Sequence, residues 1–578
     1  MDSKFSKSPG ASLLPLPCGT CPSAAEIIGE LLERKDLIQD FRPLEESLDW
    51  RLGQTFYQHR GSHAFLSGDV PYTINNDGYL SQQAAELLFT SLAASEADTP
   101  SGQPIHVIEF GAGIGIFARL FLDCFRDLCQ THKKDYYSRL CYHVTDGSAR
   151  MVEDWTRADL FGPHRPRCRL AVADAMLPQL AVPLEEIGAG VRAIFANYIL
   201  DSLPATVLRF SGSAVERLYV RARLSRRVRL NDFVNLSLDE VIEAAESRPD
   251  TLVDLYPLFS LDYSFRPSRD DEIPFLARAR ELASPENPCV VHSHGAVRSL
   301  ERMLRLLAPG GFILINDYAN TGSFPVPNGG ASSTPYQRFG GSTAAGLNLE
   351  LLKRCCTDLE DAIWVEPKED NEHLHSRLLL RGPDPTTAQQ FSVRFAKKLF
   401  DWTHQPVETA RELGRQGRPE GALAAYREAL QRQPKSWLLL NEVAQYLLSS
   451  NEPEAARQFA ESALRLNPLA PESWNLLGDA YWALGKWEEA HQAFLEALNV
   501  FPGDVRGRHN LVYTLSRKGD FASALQLIAE GLLLDVTGAF RDRLLERQAE
   551  ILSRLSRRAE IQSRILSDRS FSLQDGRV

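Results

Sequence analysis

Short apolar runs alternate with amphipathic stretches along residues 105–317, whereas the last third of the chain keeps a helical period throughout. In IHVIEFGAGIGIFARLF, residues 105–121, a β-rich apolar run from Ile105 to Phe110 passes through a glycine turn into an apolar-periodic helix. Three later runs end as strands should: CYHVTD at Asp146, RLAVAD at Asp174 and AIFAN at Asn197. LERMLRLLAPGGFILIND then reads as a helix, a Pro-Gly-Gly turn and a fifth strand closing at Asp317. Strands that alternate with helices predict an α/β domain on a mostly parallel sheet. The 31 residues from Gly115 to Asp146 leave room for a long helix between the first two strands.

The C-terminal part repeats itself. Pro434, Pro468 and Pro502 stand 34 residues apart. In PESWNLLGDAYWALGKWEEAHQAFLEALNVFP, Trp474, Leu477, Gly478 and Tyr481 mark one helix, and Ala490, Phe494 and Ala497 mark a second. Small residues let two such helices approach, and large ones fill the space between them. One period back stand Ala456 and Ala463, two back Ala422, Tyr426 and Ala429, and one forward Leu511, Leu515 and Ala524. Roughly residues 403–536 resemble the tetratricopeptide repeat (TPR) family. The resemblance implies an all-α TPR solenoid over 390–566, with about four repeats and an arginine-rich capping helix after Ala539. Its concave face suits an extended or helical peptide. Homodimerisation or packing between domains is the alternative use of that surface.

The turn after Phe110 carries the candidate chemistry. A phosphate-binding P-loop would end in Gly-Lys-Ser/Thr, which is absent, and a dinucleotide fingerprint would need glycine at Ile116. Glu109, Gly111, Gly113 and Gly115 form E-x-G-x-G-x-G instead, which resembles the first motif of the Rossmann-like methyltransferases dependent on S-adenosyl-L-methionine (SAM). Glycines let the backbone approach the methionine portion of that ligand, and the helix N-terminus favours its carboxylate. The resemblance implies a seven-stranded, mostly parallel sheet and SAM as the cofactor. Glu109 would then meet the ligand's ammonium, Asp146 the ribose hydroxyls, and Asp174 with Ala175 the adenine amine, with Asn197 beside them. Methyl transfer from a sulfonium is an in-line displacement, so near-attack geometry supplies most of the catalysis. Asn197 and Tyr198 are expected to orient the acceptor, and Asp201 to act as a base or to cap the following helix.

ANYILDSLP, AVERLYV, GFILINDYA and GGSTAAGLNLELL are similar to segments of the MidA-like methyltransferases, over about residues 40–385. Mitochondrial members of that group methylate a protein arginine in respiratory complex I assembly. Tyr198 stands where the group has glutamate, and Thr343 and Gly346 or their neighbours where it has aspartate and histidine. A guanidinium, whose pKa exceeds about 12, needs carboxylates to orient it, and Tyr198 removes one. The function so implied is methylation of a protein or peptide recruited by the repeats. A small-molecule methyltransferase that dimerises through its repeats and a non-catalytic SAM-binding assembly factor are the alternatives.

The remaining segments complete the expected plan. A flexible tail runs to residue 40, a helical cap covers 41–104, and the methyltransferase domain spans 105–385 with an insertion at about 222–288. A linker is expected around Pro383–Thr387. Residues 216–235 read as a hairpin about Ser225 whose Arg221, Arg223, Arg227 and Arg229 face solvent, and the rest of the insertion as mostly helical. His292 and His294 read as capping or packing residues, and Pro325–Ser333 as a mobile loop at the edge of the active site. Cys355 and Cys356 fall on a helix that buries one of them.

Composition narrows the partners. At 578 residues the chain exceeds one core, with the 44% hydrophobic and 24% charged content of an ordinary soluble protein. A net charge of −11 speaks against a nucleic-acid binder. No apolar stretch reaches membrane-spanning length, and Pro9, Pro15 and Pro17 interrupt the run near the start, so no signal peptide is expected. Nine cysteines, odd in number and scattered, suit reduced thiols in the cytoplasm. Cys18 and Cys21 form a lone CxxC with no second pair nearby, so no metal is expected.

Overall fold

Strands whose residues are apolar on both faces must lie between two layers of helices, and the first domain is built that way. The structure, a computed structural model, describes residues 35–67, 70, 77–95, 102–183, 187–188, 190–320, 322–325, 336–339, 341–371, 374–535 and 538–574. The Cys18–Cys21 pair and residues 326–333 of the expected loop lie outside the described residues. Seven strands make the main sheet: β1 (Ile105–Phe110), β2 (Leu140–Asp146), β3 (Cys168–Val172), β4 (Val191–Asn197), β5 (Leu307–Asp317), β6 (Ala362–Val365) and β7 (His375–Arg381). Their spatial order is β6-β7-β5-β4-β1-β2-β3. Pairing is parallel from β3 across to β5 and antiparallel for β5–β7 and β7–β6. All six residues of β1 are buried, which is why its sequence runs apolar without alternating.

Helices α1 (Leu48–Arg60), α2 (Tyr79–Ala94), α3 (Ile116–Thr131) and α4 (His294–Leu306) position the site. On one face of the sheet, Phe121 of α3 packs 5.1 Å from Phe195 of β4 and 5.3 Å from Tyr142 of β2, ring centre to ring centre. On the other face, Leu300 and Met303 of α4 join Ile108, Ile194 and Ile313. Strand order reverses between β1 and β4, so a crevice opens beyond their C-terminal ends.

Several expectations are corrected beside this sheet. Residues 35–40 are not a free tail: Lys35–Pro43 is a strand paired with Ala214–Ser225. There is no hairpin about Ser225 either, because Ala214–Ser225 takes both Lys35–Pro43 and Phe259–Pro267 as antiparallel neighbours. Together with Thr206–Ser211, Cys289–His292 and Ser323–Phe324 these strands form a second sheet, to which the otherwise mostly helical insertion adds the strand Phe259–Pro267. Pairing needs of alternating apolar residues explain it: Val215, Leu218, Val220, Ala222 and Leu224 all face a core and require a sheet surface. Arg221 and Arg223 face Asp262 at 2.8 Å instead of bulk water. Both Cys355 and Cys356 are buried on Leu349–Thr357. His292 and His294 pack as expected, His292 Nε2 lying 2.6 Å from the Pro274 carbonyl and His294 3.5 Å from Glu45.

The repeats follow as four antiparallel helix pairs. These are α5 (Lys397–Arg415) with α6 (Pro419–Arg432), α7 (Trp437–Ser449) with α8 (Pro453–Leu466), α9 (Pro471–Ala483) with α10 (Trp487–Val500), and α11 (Val505–Lys518) with α12 (Phe521–Leu534). A Cβ on Gly478 would lie 2.3 Å from the Phe494 ring, so the repeat's glycine is what lets α9 and α10 touch. Asp479 of α9 pairs with Arg506 and Asn510 of α11 at 2.7 and 3.1 Å. First helices of successive repeats therefore lie side by side, as the wall of a concave groove does. A final helix, α13 (Arg541–Gln574), buries Leu544 and Ile551 against Ala524 and Ile528 and caps the array. Among the described residues no helix is long and apolar enough to cross a membrane.

No loose linker joins the two parts. Pro385–Arg394 is a helix whose N-cap Asp384 accepts from the Thr387 amide at 2.9 Å, with Phe391 fully buried beneath it. Trp437, Leu440, Leu469 and Ala470 of the repeats share one core with Leu120 and Phe121 of α3. Lys435 reaches Asp127 at 3.0 Å, and Gly78 passes so close to the Lys435 carbonyl that a Cβ there would stand at 2.6 Å. Since Trp437 is 1% exposed, Trp437→Ala should cost roughly 3–5 kcal/mol of stability. In urea, near-ultraviolet and far-ultraviolet circular dichroism should both shift to lower denaturant together. A shift confined to a helical subtransition would mean that the two parts do not share a core.

Candidate functional site

The crevice beyond β1, β2 and β4 holds a cavity of about 200 Å³. Glu109, Gly111, Gly113, Asp146, Asn197, Tyr198 and Asp201 line it, so seven of the residues singled out in the sequence meet at one place. The glycine turn is shaped by left-handed backbone, with φ of 64° at Gly111 and 55° at Gly113. A Cβ would stand 2.8 Å from Ile199 at Gly111 and 3.3 Å from the Phe65 ring at Gly113. Trp155 Nε1 donates to the Gly113 carbonyl at 2.8 Å, and the Gly113 amide donates to Asp146 Oδ2 at 3.0 Å. Gly115 does not line the cavity: it starts α3 and packs under Leu160 and Trp155.

Burial governs the charges. Glu109 is 1% exposed, and desolvation pushes its carboxyl up to about 8 against the hydrogen bonds that favour the anion. Tyr142 donates to its Oε2 at 2.9 Å and Asn197 Nδ2 lies 3.4 Å from its Oε1. Asn197 is itself held, its Oδ1 accepting from Asn316 at 2.8 Å, and Asn316 Oδ1 accepting from Ser376 at 2.6 Å. Burial likewise raises Asp146 to about 6, while the Ser148 and Gly113 amides pull the other way. Asp201 rises to about 7 by burial. Asp317 below it is raised well above the carboxylate range, by burial first and by Asp201 second. Asp317 Oδ2 accepts from the amides of Leu200 and Asp201 at 3.0 and 3.3 Å, which pins the turn that carries Asp201. Tyr198 takes a left-handed φ of 52°, its amide donating to the Asn316 carbonyl at 2.9 Å, with its ring 4.7 Å from Tyr318. Strain of that kind persists where surrounding contacts over-determine it.

Two further sequence assignments, like Gly115, stay away from the cavity. Asp174 is exposed and accepts from the Met176 amide at 2.7 Å, and the Ala175 carbonyl accepts from Ser299 of α4 at 2.7 Å. Neither lines the space: Asp174 turns back on its own loop, and Ala175 is tied to α4. Thr343 does line it and Gly346 does not. Ser342, Thr343 and Ala344, from the strand Ser342–Ala345 in the segment that resembles the family, close the top together with Tyr57 and Phe65 from α1 and the turn after it, which carried no sequence signal. Ser342 donates to the Tyr57 hydroxyl at 2.8 Å, and burial pushes that phenol up to about 12. Gly53 is the one local hint, since a Cβ there would stand 2.1 Å from Thr343 Oγ1.

The residues present fit SAM. A buried carboxyl with a raised pKa, Glu109, gains from an ammonium beside it, and Asp146 keeps lone pairs for ribose hydroxyls. The glycine turn supplies a surface that any Cβ would obstruct.

Glu109 also makes a prediction about the protein without ligand. Its pKa rises from 4.5 to about 8 on folding, so the stability contributed by its neutral form is fully present below pH 4.5 and is lost as pH climbs toward 8. Glu109→Gln keeps the neutral shape and removes the titration. Denaturation midpoints at pH 5, 6.5 and 8 should fall more steeply in the parent, by up to about 1.4 kcal/mol per pH unit. Parallel pH dependence in the two proteins would show that Glu109 is ionised in the native state.

Comparison with known proteins agrees with this geometry. Residues 85–334 match the family model "Putative S-adenosyl-L-methionine-dependent methyltransferase", and residues 407–471 and 471–504 match two models of tetratricopeptide repeats. A Burkholderia thailandensis protein solved with S-adenosyl-homocysteine is similar at 15% identity, over 64% of this chain and 92% of that one, with a TM-score of 0.40. Tetratricopeptide repeat protein 33 is 33% identical over 141 residues in Homo sapiens, covering 20% of this chain and 54% of that protein. Its Xenopus laevis counterpart is 35% identical over 93 residues, covering 16% and 36%. The chain thus spans about a third to a half of these curated relatives, and does so through its repeats. Residues 85–334 thus carry the match to the S-adenosyl-L-methionine-dependent methyltransferases, and tetratricopeptide repeats follow that domain.

Proposed function

We propose that the chain transfers the methyl group of SAM to a protein or peptide acceptor that the repeat groove brings to the cavity. The convergence of Glu109, the glycine turn and Asp146 with Asn197, Tyr198 and Asp201 around one crevice carries the reading. When bound, the cofactor supplies an electrophilic methyl on a sulfonium. Asn197, held through Asn316, orients the acceptor. Tyr198 offers a hydroxyl and a ring face, and Asp201, raised to about 7, can accept a proton near neutral pH.

Recruitment by the repeats is supported by where they touch the methyltransferase domain. His63 packs edge-on to Phe501 at 5.8 Å, and Phe65, two residues on, lines the cavity. Glu472, at the start of α9, is exposed and stands beside Asp504 and Arg506 of the next repeat, a few residues along the chain from Phe501.

Two substitutions separate the steps. Asp146→Asn should lower the affinity for S-adenosyl-homocysteine about tenfold or more by calorimetry, through loss of charge-assisted bonds. Glu472→Lys should leave that affinity unchanged and cut methylation of protein acceptors several-fold at low concentration. The assay gives methyl-labelled SAM to an extract of the protein's own cells and separates protein from small molecules. Label confined to the small molecules, or equal protein labelling by parent and Glu472→Lys, would defeat the recruitment reading.

A further inference from the structure

At the far end of β1 and β2 from the cavity, three side chains with metal-binding atoms face one another. His106 of β1 is in register with Cys141 of β2, and Ile108 with His143, which puts His106, Cys141 and His143 on one face of adjacent strands. One ligand atom from each lies within 4.8 Å of the others. His106 Nδ1 stands 3.2 Å from His143 Nε2. Two nitrogens bound at about 2.0–2.1 Å to one tetrahedral ion are separated by about 3.3 Å, so the imidazoles already hold a ligand pair's spacing. Among the described residues each imidazole is the other's hydrogen-bond partner. Both rings are buried, whereas Cys141 is half-buried, so its side borders solvent.

We propose that His106, Cys141 and His143 bind a borderline divalent transition-metal ion such as zinc, which clamps β1 to β2. A thiolate with two imidazoles is the donor set such ions take, Cys141 giving up its proton on binding. Arg169, opposite His143 on β3, is a cationic neighbour of all three and Arg167 one of Cys141; Arg169 is exposed, so solvent screens its charge. Three residues of strand, about 10 Å, separate His143 from Asp146, so the ion would stiffen the cofactor sheet without touching the methyl site.

The test uses the full chain carrying Cys18→Ser and Cys21→Ser, which removes the CxxC pair, stripped with chelator and titrated with Zn²⁺ or Co²⁺. One equivalent of zinc should bind, Co²⁺ should produce a thiolate charge-transfer band, and the thermal midpoint should rise with zinc. Cys141→Ser, a mild change at a half-buried site, should abolish the band and lower zinc affinity about 100-fold. His143→Asn should lower the affinity to a similar degree. Absence of the cobalt band, or equal zinc affinity in parent and Cys141→Ser, would leave His106 and His143 as a hydrogen-bonded pair and overturn the proposal.

Discussion

A carboxyl buried at the end of β1 is the constraint on which the site is built. Glu109 cannot lie at 1% exposure without partners, and the two it has, Tyr142 and Asn197, come from the strands on either side. Its demand therefore fixes how the ends of β1, β2 and β4 stand relative to one another. Asn197 passes the constraint to Asn316 on β5 and Ser376 on β7. A polar thread thus crosses the sheet beneath the cavity, where a wholly apolar layer would have left the register of the strand ends less specified. Its strength and its cost come from the same low dielectric.

The repeats are continuous with this domain in the most physical sense. Trp437 and Leu440 complete a core that α3 begins, and the helix Pro385–Arg394 connects the two without slack. A solenoid hung on a flexible tether would sample many orientations. One that shares a core holds its concave face at a set angle to the cavity, which is the arrangement the proposed recruitment would use. The same sharing means that removing the repeats would uncover apolar surface on α3, so point substitutions in the groove report on recruitment more cleanly than truncation does.

Much of this was legible along the chain because the signals were local. Glu109-x-Gly-x-Gly-x-Gly between an apolar run and an amphipathic helix specifies a strand, a turn and a helix from neighbours alone. Trp474, Gly478, Ala490 and Phe494 specify a helix pair by spacing, and the recurrence of proline specifies the repeat. Asp146, Asn197 and Asp201 follow because strand ends in a parallel sheet share one edge. The reading failed where side chains answered to distant partners. Lys35–Pro43 looked like tail because its pairing strand begins only at Ala214, and Ala214–Ser225 looked like one arm of a hairpin because sheet pairing across such separations leaves no local mark. Asp174 was assigned by its place after β3, but its carboxylate is exposed and bonds its own loop, while Ser299 holds the neighbouring Ala175.

What the sequence determined by itself, then, is the succession of elements, the class of each domain, and the residues at the ends of β1, β2 and β4, since each depends on periodicity or on atoms a few bonds apart. Tertiary structure alone decided the cover of Tyr57 and Phe65 over the cavity, the core shared through Trp437, and the juxtaposition of His106 with Cys141 and His143. The reason is separation. Ligands and lids assembled from strands tens to hundreds of residues apart have no spacing rule, and they exist only once the sheet has set which strands are neighbours and in what register.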